Sequence, residues 1–414
     1  MDQTSIVWSS ENAEALVTEF GSPLFVYDTV VIERQYKRLR QAFNRCATRI
    51  HFAGKSLSNV NIWKFIQQLG AGFDAVSIEE VKLALHAGFD PREILFTPNS
   101  VGLAEYEEAI RLGVHINVDN LSILEELGAI YGDRVPIGIR INPHILAGGN
   151  HKISTGHIDS KFGISVHQMR HLHRIVDHYG LRIDGLHMHT GSEILDVQVF
   201  LTGAQILLDL AMDFPHLEYI DFGSGFKVAY KPNDLETDIE ELGEKMCGLF
   251  NEFCENYGRE LELIFEPGKF LVSEAGTFLT TSQVIKQTTS TVFVGVDSGL
   301  NHFIRPMFYD SYHHIDNLSN PDGKQRIYSV VGYICETDTF AWDRPLPEVR
   351  QGDILAFRNA GAYVMSMASN YNSRLLPAEV MYINGEYRLI RRRQELNDLL
   401  RDQIEIEWNQ NALS

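Results

Sequence analysis

From residue 49 to residue 266 the chain alternates short apolar runs with amphipathic stretches, and it completes this cycle eight times. The runs at 49–55, 72–77, 94–99, 115–119, 136–142, 183–189, 219–223 and 261–266 have the length and composition of buried strands. Between them, apolar residues recur at three- and four-residue spacing over 78–87, 103–112, 121–130, 166–179, 197–212 and 235–257, which predicts helices. Eight strand–helix units match a (β/α)8 TIM barrel in number and length, so the predicted class is α/β. A doubly wound open sheet is the main alternative.

A barrel keeps its chemistry at the C-terminal ends of its strands. Those ends carry Lys55, Asp74, Asn99, Asp119, Arg140 with Asn142, His189, the turn Gly223-Ser224-Gly225, and Glu266. Loops are polar in any protein, but loop composition alone does not call for a lysine, an arginine, a histidine and a carboxylate at one rim. Lys55 is the most telling, because an ammonium is rarely buried without a partner. A partly desolvated lysine has a lowered pKa and attacks carbonyls as an amine, which makes Lys55 a Schiff-base candidate. Taken alone, it also fits a side chain that reaches back to solvent.

Two glycine-rich turns follow. In Gly185-Leu-His-Met-His-Thr-Gly-Ser192, His189 is placed to stack on a planar cofactor and Ser192 to donate to a phosphate. His187 shares its face, which would permit a metal pair, but no nearby carboxylate spacing completes a triad, so no metal is expected. Asp221-Phe-Gly-Ser-Gly-Phe226 follows the seventh strand, where barrels often bind phosphate. Glu266-Pro-Gly-Lys269 ends the eighth. There Glu266 can hold a protonated ring nitrogen, Gly268 can offer a phosphate-facing amide, and Lys269 adds a cation.

Beyond residue 284 the helical spacing stops. Strands are predicted at 291–296, 327–333, 353–358 and 379–388, with a hairpin turn at Ile383-Asn-Gly-Glu386 and a charged helix after Arg391. The chain therefore divides into a barrel over 36–283 and a C-terminal β-rich domain over 284–414, completed by residues 1–35 with their strand near residue 25. Arg305 with Tyr309, Cys335 with Glu336, and Tyr363 stand out there. The net charge of −19 argues against nucleic acid and anionic membranes as partners and leaves a small molecule. Cys46, Cys247, Cys254 and Cys335 form no CxxC pair, so neither zinc nor a disulfide framework is expected, and reduced thiols suit a cytoplasmic protein. No signal-peptide pattern opens the sequence, and no apolar run approaches a membrane span.

Together these motifs resemble the fold-type III pyridoxal-phosphate decarboxylases, most closely the diaminopimelate decarboxylases. The resemblance runs from Ser22-Pro-Leu-Phe-Val-Tyr-Asp28 to about Tyr387 and includes Gly72-Phe-Asp-Ala-Val-Ser77, Arg140-Ile-Asn-Pro143, Ser160-Lys-Phe-Gly163 and Ile334-Cys-Glu336. Its most specific part is Gly361-Ala-Tyr-Val-Met-Ser-Met-Ala-Ser-Asn-Tyr-Asn372. It implies pyridoxal 5'-phosphate bound as an imine on Lys55, with His189 stacked on the ring and Glu266 at its nitrogen. Ser192, Gly225, Gly268 and Tyr363 would hold the phosphate. Arg305, Tyr309, Glu336, Lys269 and Tyr363 would bind the amino-acid substrate, and Cys335 would return a proton after carbon dioxide leaves. In this family Cys335 and Glu336 are expected from a second subunit, which implies a homodimer with shared active sites. The implied reaction converts meso-2,6-diaminopimelate to L-lysine, the last step of lysine biosynthesis.

Two departures stand out: Phe52-Ala-Gly-Lys-Ser-Leu-Ser-Asn59 replaces the family's Tyr-Ala-x-Lys-Ala-Asn, and Lys269 replaces the arginine of Glu-Pro-Gly-Arg. Lysine cannot reproduce the paired hydrogen bonds that arginine makes to a carboxylate. The rival reading is a decarboxylase of the same fold acting on D-lysine, D-ornithine or a carboxylated polyamine. A non-catalytic relative and a metal-dependent barrel hydrolase are weaker alternatives.

Overall fold

The computed structural model describes residues 4–145, 160–189 and 191–407. Thr190, inside the second glycine-rich motif, lies outside them, as does the C-terminal end from residue 408. Eight parallel strands form the barrel: Thr48–Ala53, Gly72–Ala75, Ile94–Phe96, His115–Val118, Ile137–Asn142, Ile183–His187, Tyr219–Asp221 and Glu262–Phe265. The eighth pairs with the first through Leu263 and Thr48, and the fourth with the fifth through Asn117 and Gly138, so the sheet closes on itself. The open-sheet alternative is thereby excluded.

The barrel's interior is filled. Leu95, Tyr219 and Ile264, from the third, seventh and eighth strands, form a small cluster of their own across the lumen. The Tyr219 hydroxyl donates to Asn117 Oδ1 at 2.9 Å, and Asn117 Nδ2 donates to Thr97 Oγ1 at 2.9 Å, so the buried polar groups are satisfied. A side chain at Gly185 would run into the Tyr219 ring, and one at Gly138 into Asn117 Oδ1 and the Tyr219 hydroxyl, so glycine at both positions makes room for this pair.

Outside lie the helices. Ile78–Ala87 and Leu103–Leu112 have the bounds their spacing predicts; each is followed by a left-handed glycine, Gly88 and Gly113, that stops it. Val197–Ala211 begins on Asp196, whose side chain accepts from the Gln198 N–H. The last barrel helix is Ile239–Tyr257 and starts at Asp238, four residues later than its pattern suggests, because Asp238 caps it through the Glu241 N–H. It packs so closely on helix Thr29–Ala42 that a side chain at Gly243 would meet the Ala42 carbonyl. This proximity corrects the cysteine expectation: Cys46 and Cys247, 201 residues apart, form a disulfide with Cα atoms 5.5 Å apart. Sequence spacing could not show a pair built from two separate elements.

The second sheet has nine strands, and its centre is a strand that the sequence reading left unassigned, Gly276–Gln287. It pairs with Leu24–Asp28, Val292–Val296 and Ile354–Phe357, all antiparallel. Leu24–Asp28 also pairs, in parallel, with Ala378–Ile383, so the early strand is inserted between two late ones. Gly276–Gln287 crosses the 283/284 cut and helix Thr29–Ala42 crosses the 35/36 cut, so both cuts fall inside elements. Helix Ser10–Phe20 covers one face, where Ala13 and Leu16 pack with Leu24, Val26, Leu279 and Val380. Among the described residues, no helix is long and apolar enough to cross a membrane.

Candidate active site

The rim at the strands' C-terminal ends opens into a cavity of about 610 Å³. Lys55, His189, Ser192, Lys269, Arg305, Tyr309 and Tyr363 all line it. Lys55 sits two residues past the first strand's end, in the short turn Gly54–Ser56, with 39% of its side chain exposed. Its Nζ lies 2.9 Å from Asp74 Oδ2, a carboxylate at the end of the second strand that is only 1% exposed. The expected lowering of its pKa is not what the structure gives. Burial pushes it down, but the charges of Asp74, Tyr363 and Glu266 outweigh burial and raise it. The side chain is a held ammonium, positioned by a partner from the next strand.

His189 is kept neutral. Burial, reinforced by the nearby Arg140 and Lys55 charges, lowers its pKa to about 3, and its Nδ1 accepts from the Ser224 N–H at 3.3 Å. A neutral ring fixed through one nitrogen is suited to stacking. Glu266 is 6% exposed and lies beneath the rim, where Oε2 meets His187 Nε2 at 3.0 Å and Oε1 has no hydrogen-bond partner. Burial would raise its pKa, but His187, Lys55 and a hydrogen bond from Asp221 prevail and hold it below the usual carboxylate value. His187, Asp221 and Glu266, from the sixth, seventh and eighth strands, bring polar atoms within 4.8 Å of one another. Sequence spacing gave no hint of these carboxylates beside His187; the His187–Glu266 hydrogen bond uses the very atoms a cation would need.

The glycines shape a cradle. Gly223, at φ 61°, leaves no room for a side chain beside His189, and Gly225, at φ 114°, approaches the Gly191 carbonyl just as closely. A side chain at Gly268 would lie 2.8 Å from Ser56 Cβ. Lys269 reaches across to this region, with Nζ 2.9 Å from Ser192 Oγ and 3.3 Å from Glu193 Oε1. It therefore meets Ser192 and Glu193 while also lining the cavity.

The second sheet's region supplies the opposite wall. Arg305 opens the short helix Arg305–Tyr309, is 5% exposed, and lies between the Tyr230 and Tyr309 rings at 5.7 and 5.6 Å. Its Nη2 donates to Ser311 Oγ at 3.3 Å, whereas the buried Nε has no partner. Tyr363 has φ 57°, uncommon for an aromatic residue, and its N–H donates to the Ser56 carbonyl at 2.7 Å, which pins it beside the Lys55 turn. Tyr230 escaped sequence reading; its one signal is an aromatic residue four positions beyond the glycine turn at Phe226.

Cys335 and Glu336 stand apart from this assembly. Both are exposed and neither lines the cavity. Asn372 Nδ2 donates to Cys335 Sγ at 2.8 Å, and the Tyr371 hydroxyl donates to Glu336 Oε1 at 2.8 Å.

An imine-forming amine, a neutral ring for stacking, a buried ionised carboxylate and a glycine cradle are the parts that pyridoxal chemistry needs. Glu266 Oε1, buried and without a partner among the described residues, fits its ring nitrogen, and the Ser192 hydroxyl, with the Lys269 ammonium 2.9 Å from it, fits its phosphate. Comparison with known proteins agrees. Residues 30–273 match the family model for the pyridoxal-dependent decarboxylase, pyridoxal binding domain. The diaminopimelate decarboxylase of Methanothermobacter thermautotrophicus is 38% identical over 412 residues, 97% of this chain and 96% of that protein. The Escherichia coli K12 diaminopimelate decarboxylase is 35% identical over 418 residues, covering 95% and 96%. The crystal structure of diaminopimelate decarboxylase from Helicobacter pylori complexed with L-lysine superposes with a TM-score of 0.85 at 32% identity, over 94% of this chain and 98% of that one. With matched motifs, a shared barrel and relatives aligned along almost its full length, the chain belongs to the diaminopimelate decarboxylase family of pyridoxal-dependent decarboxylases.

Proposed function

We propose that this enzyme decarboxylates meso-2,6-diaminopimelate to L-lysine and carbon dioxide, the last step of lysine biosynthesis, using pyridoxal 5'-phosphate. The observation that carries this reading is a buried guanidinium, Arg305, facing the same cavity as Lys55, with its Nε unpartnered. A substrate ending in an amine alone would leave that cation uncompensated; one with a distal carboxylate satisfies it. This disfavours D-lysine and D-ornithine.

Bound pyridoxal 5'-phosphate supplies an aldehyde that captures amines and a ring that accepts the electron pair of the broken bond. Lys55 anchors it, with Asp74 holding the side chain in place. His189 stacks on the ring, Glu266 keeps the ring nitrogen protonated, and Ser192, Gly225, Gly268 and Tyr363 hold the phosphate. Lys269, Arg305, Tyr309 and Tyr363, which line the same cavity, would bind and orient the substrate.

Cys335 and Glu336 lie outside their own chain's cavity, which supports a homodimer in which each subunit completes the other's site. In it, Cys335 holds the proton that returns to the α-carbon, and Glu336 accepts the substrate's distal amine. The division of labour mostly follows the two sheets: the barrel supplies most of the cofactor's contacts, with Tyr363 added from the β-rich region, and the β-rich region supplies most of the substrate's, with Lys269 added from the barrel. We place the enzyme in the cytoplasm, with the other steps of amino-acid biosynthesis. The deciding assay is carbon dioxide release from meso-diaminopimelate, D-lysine and D-ornithine. Turnover of diaminopimelate is expected, and faster release from either of the others would overturn the assignment.

A further inference from the structure

Asp221 is fully buried at the end of the seventh strand. Its Oδ1 accepts the Gly223 N–H at 2.7 Å, its Oδ2 has no donor among the described residues, and one of its oxygens lies within 4.8 Å of a Glu266 oxygen. The Glu266 N–H in turn donates to the Gly223 carbonyl at 2.7 Å. One side chain thus touches both the glycine turn and the carboxylate at the ring-nitrogen position. We propose that Asp221 is a positioning residue that acts as a neutral acid, donating its O–H to Glu266 while its other oxygen holds Gly223. This rests on the reading of Glu266 as the partner of the ring nitrogen.

Two fully buried carboxylates in contact cannot both be ionised. Glu266 has His187 at 3.0 Å and Lys55 nearby, both able to stabilise its charge. Asp221 has a backbone N–H, with the Asp74 charge also in range, so the proton resides on Asp221. Burial first, and the Glu266 charge second, push the Asp221 pKa well up, in agreement. The arrangement gives Glu266 two donors, His187 on one side and Asp221 on the other, and leaves Oε1 room to receive a third from the cofactor ring. It also ties the phosphate turn to the ring-nitrogen carboxylate, so neither end of the cradle can shift alone.

The test is infrared difference spectroscopy of the wild-type holoenzyme at neutral pH, with and without carbon-13-labelled aspartate, paired with three variants. A protonated-acid carbonyl band that shifts on labelling and is missing from Asp221→Asn is expected. Asp221→Asn keeps a neutral donor and an acceptor in the same shape, so it should retain near-wild-type kcat/KM and cofactor affinity. Asp221→Ala should lose roughly 10- to 100-fold in kcat/KM and release pyridoxal 5'-phosphate more readily. Absence of a labelled acid band, or an Asn variant as impaired as the Ala variant, overturns the proposal. Should Asp221→Ala fail to fold, the wild-type band and the Asn variant still decide. Glu266→Gln separates the underlying reading: if it turns over normally while the Asp221 band persists, the role of Glu266 has failed and the protonation of Asp221 has not.

Discussion

The barrel rim and the Cys335–Glu336 turn were both marked by sequence motifs, yet they differ in almost every physical respect. At the rim, Lys55, Glu266 and His189 are held by partners within their own chain, and their protonation is set by burial and neighbouring charge. Cys335 and Glu336 are exposed, held only by Asn372 and Tyr371 from another surface turn. The first region is finished when the chain folds. The second lies away from the cavity, on the surface. In the proposed dimer, pre-organised electrostatics and assembly-dependent chemistry would be carried by separate parts of one molecule.

Four measurements would break or sharpen that contrast. The largest effect is expected from Lys55→Ala, which should cut turnover by at least about a thousandfold and abolish the borohydride-reducible adduct. A reducible adduct surviving in that variant would remove Lys55 from its role. Next, Lys55→Ala and Cys335→Ala proteins, each inactive alone, should recover about a quarter of wild-type activity after unfolding and refolding together, since half the dimers then carry one intact site. No recovery would mean that the two regions serve the same chain. Arg305→Ala should raise KM for diaminopimelate by roughly 10- to 100-fold, because a charge-assisted contact is lost, with kcat changed less. An unchanged KM would move the distal carboxylate elsewhere.

The smallest effect is on stability. Burial lowers His51 and His302 from 6.5 to about 4, and His313 to about 3. Through these three histidines the unfolded chain binds more protons than the folded one between about pH 6.5 and pH 3, so their contribution to stability is full above 6.5 and is lost on acidification through that window, opposite in sign to that of a buried acid such as Asp221. The histidines are expected to prevail, with the Tm dropping by roughly 5 °C or more between pH 7.5 and pH 5. A Tm that holds or rises would show that these imidazoles do not set the acid limb of stability.

The sequence disclosed this architecture unevenly, for physical reasons. Barrel strands and helices are local patterns, and helix bounds such as Ile78–Ala87 followed from apolar spacing ended by a glycine. Helices Ser10–Phe20 and Val60–Gln68 went unread although Ser9 and Asn59 offered capping signals. Strand Gly276–Gln287 escaped because two of its three partners, Leu24–Asp28 and Ile354–Phe357, are distant in sequence. Among the site residues, Lys55, His189 and Glu266 were legible as polar groups where apolar strands end. Asp74 was visible only as a rim carboxylate, and the cluster of His187, Asp221 and Glu266 was not visible at all. It takes one group from each of three adjacent strands, and adjacency across a closed barrel leaves no trace in linear spacing.

The placement of Leu24–Asp28 bears on how the chain is made. Tyr27 donates to Glu379 across 352 residues, and Glu379 lies in the partner strand Ala378–Ile383, made long after the early one. During synthesis the early strand waits with open edges while the whole barrel emerges and folds beside it. Its five buried residues are thus a sticky segment for most of the chain's birth, and a permuted gene that starts just before residue 276 and joins the old ends would shorten that wait.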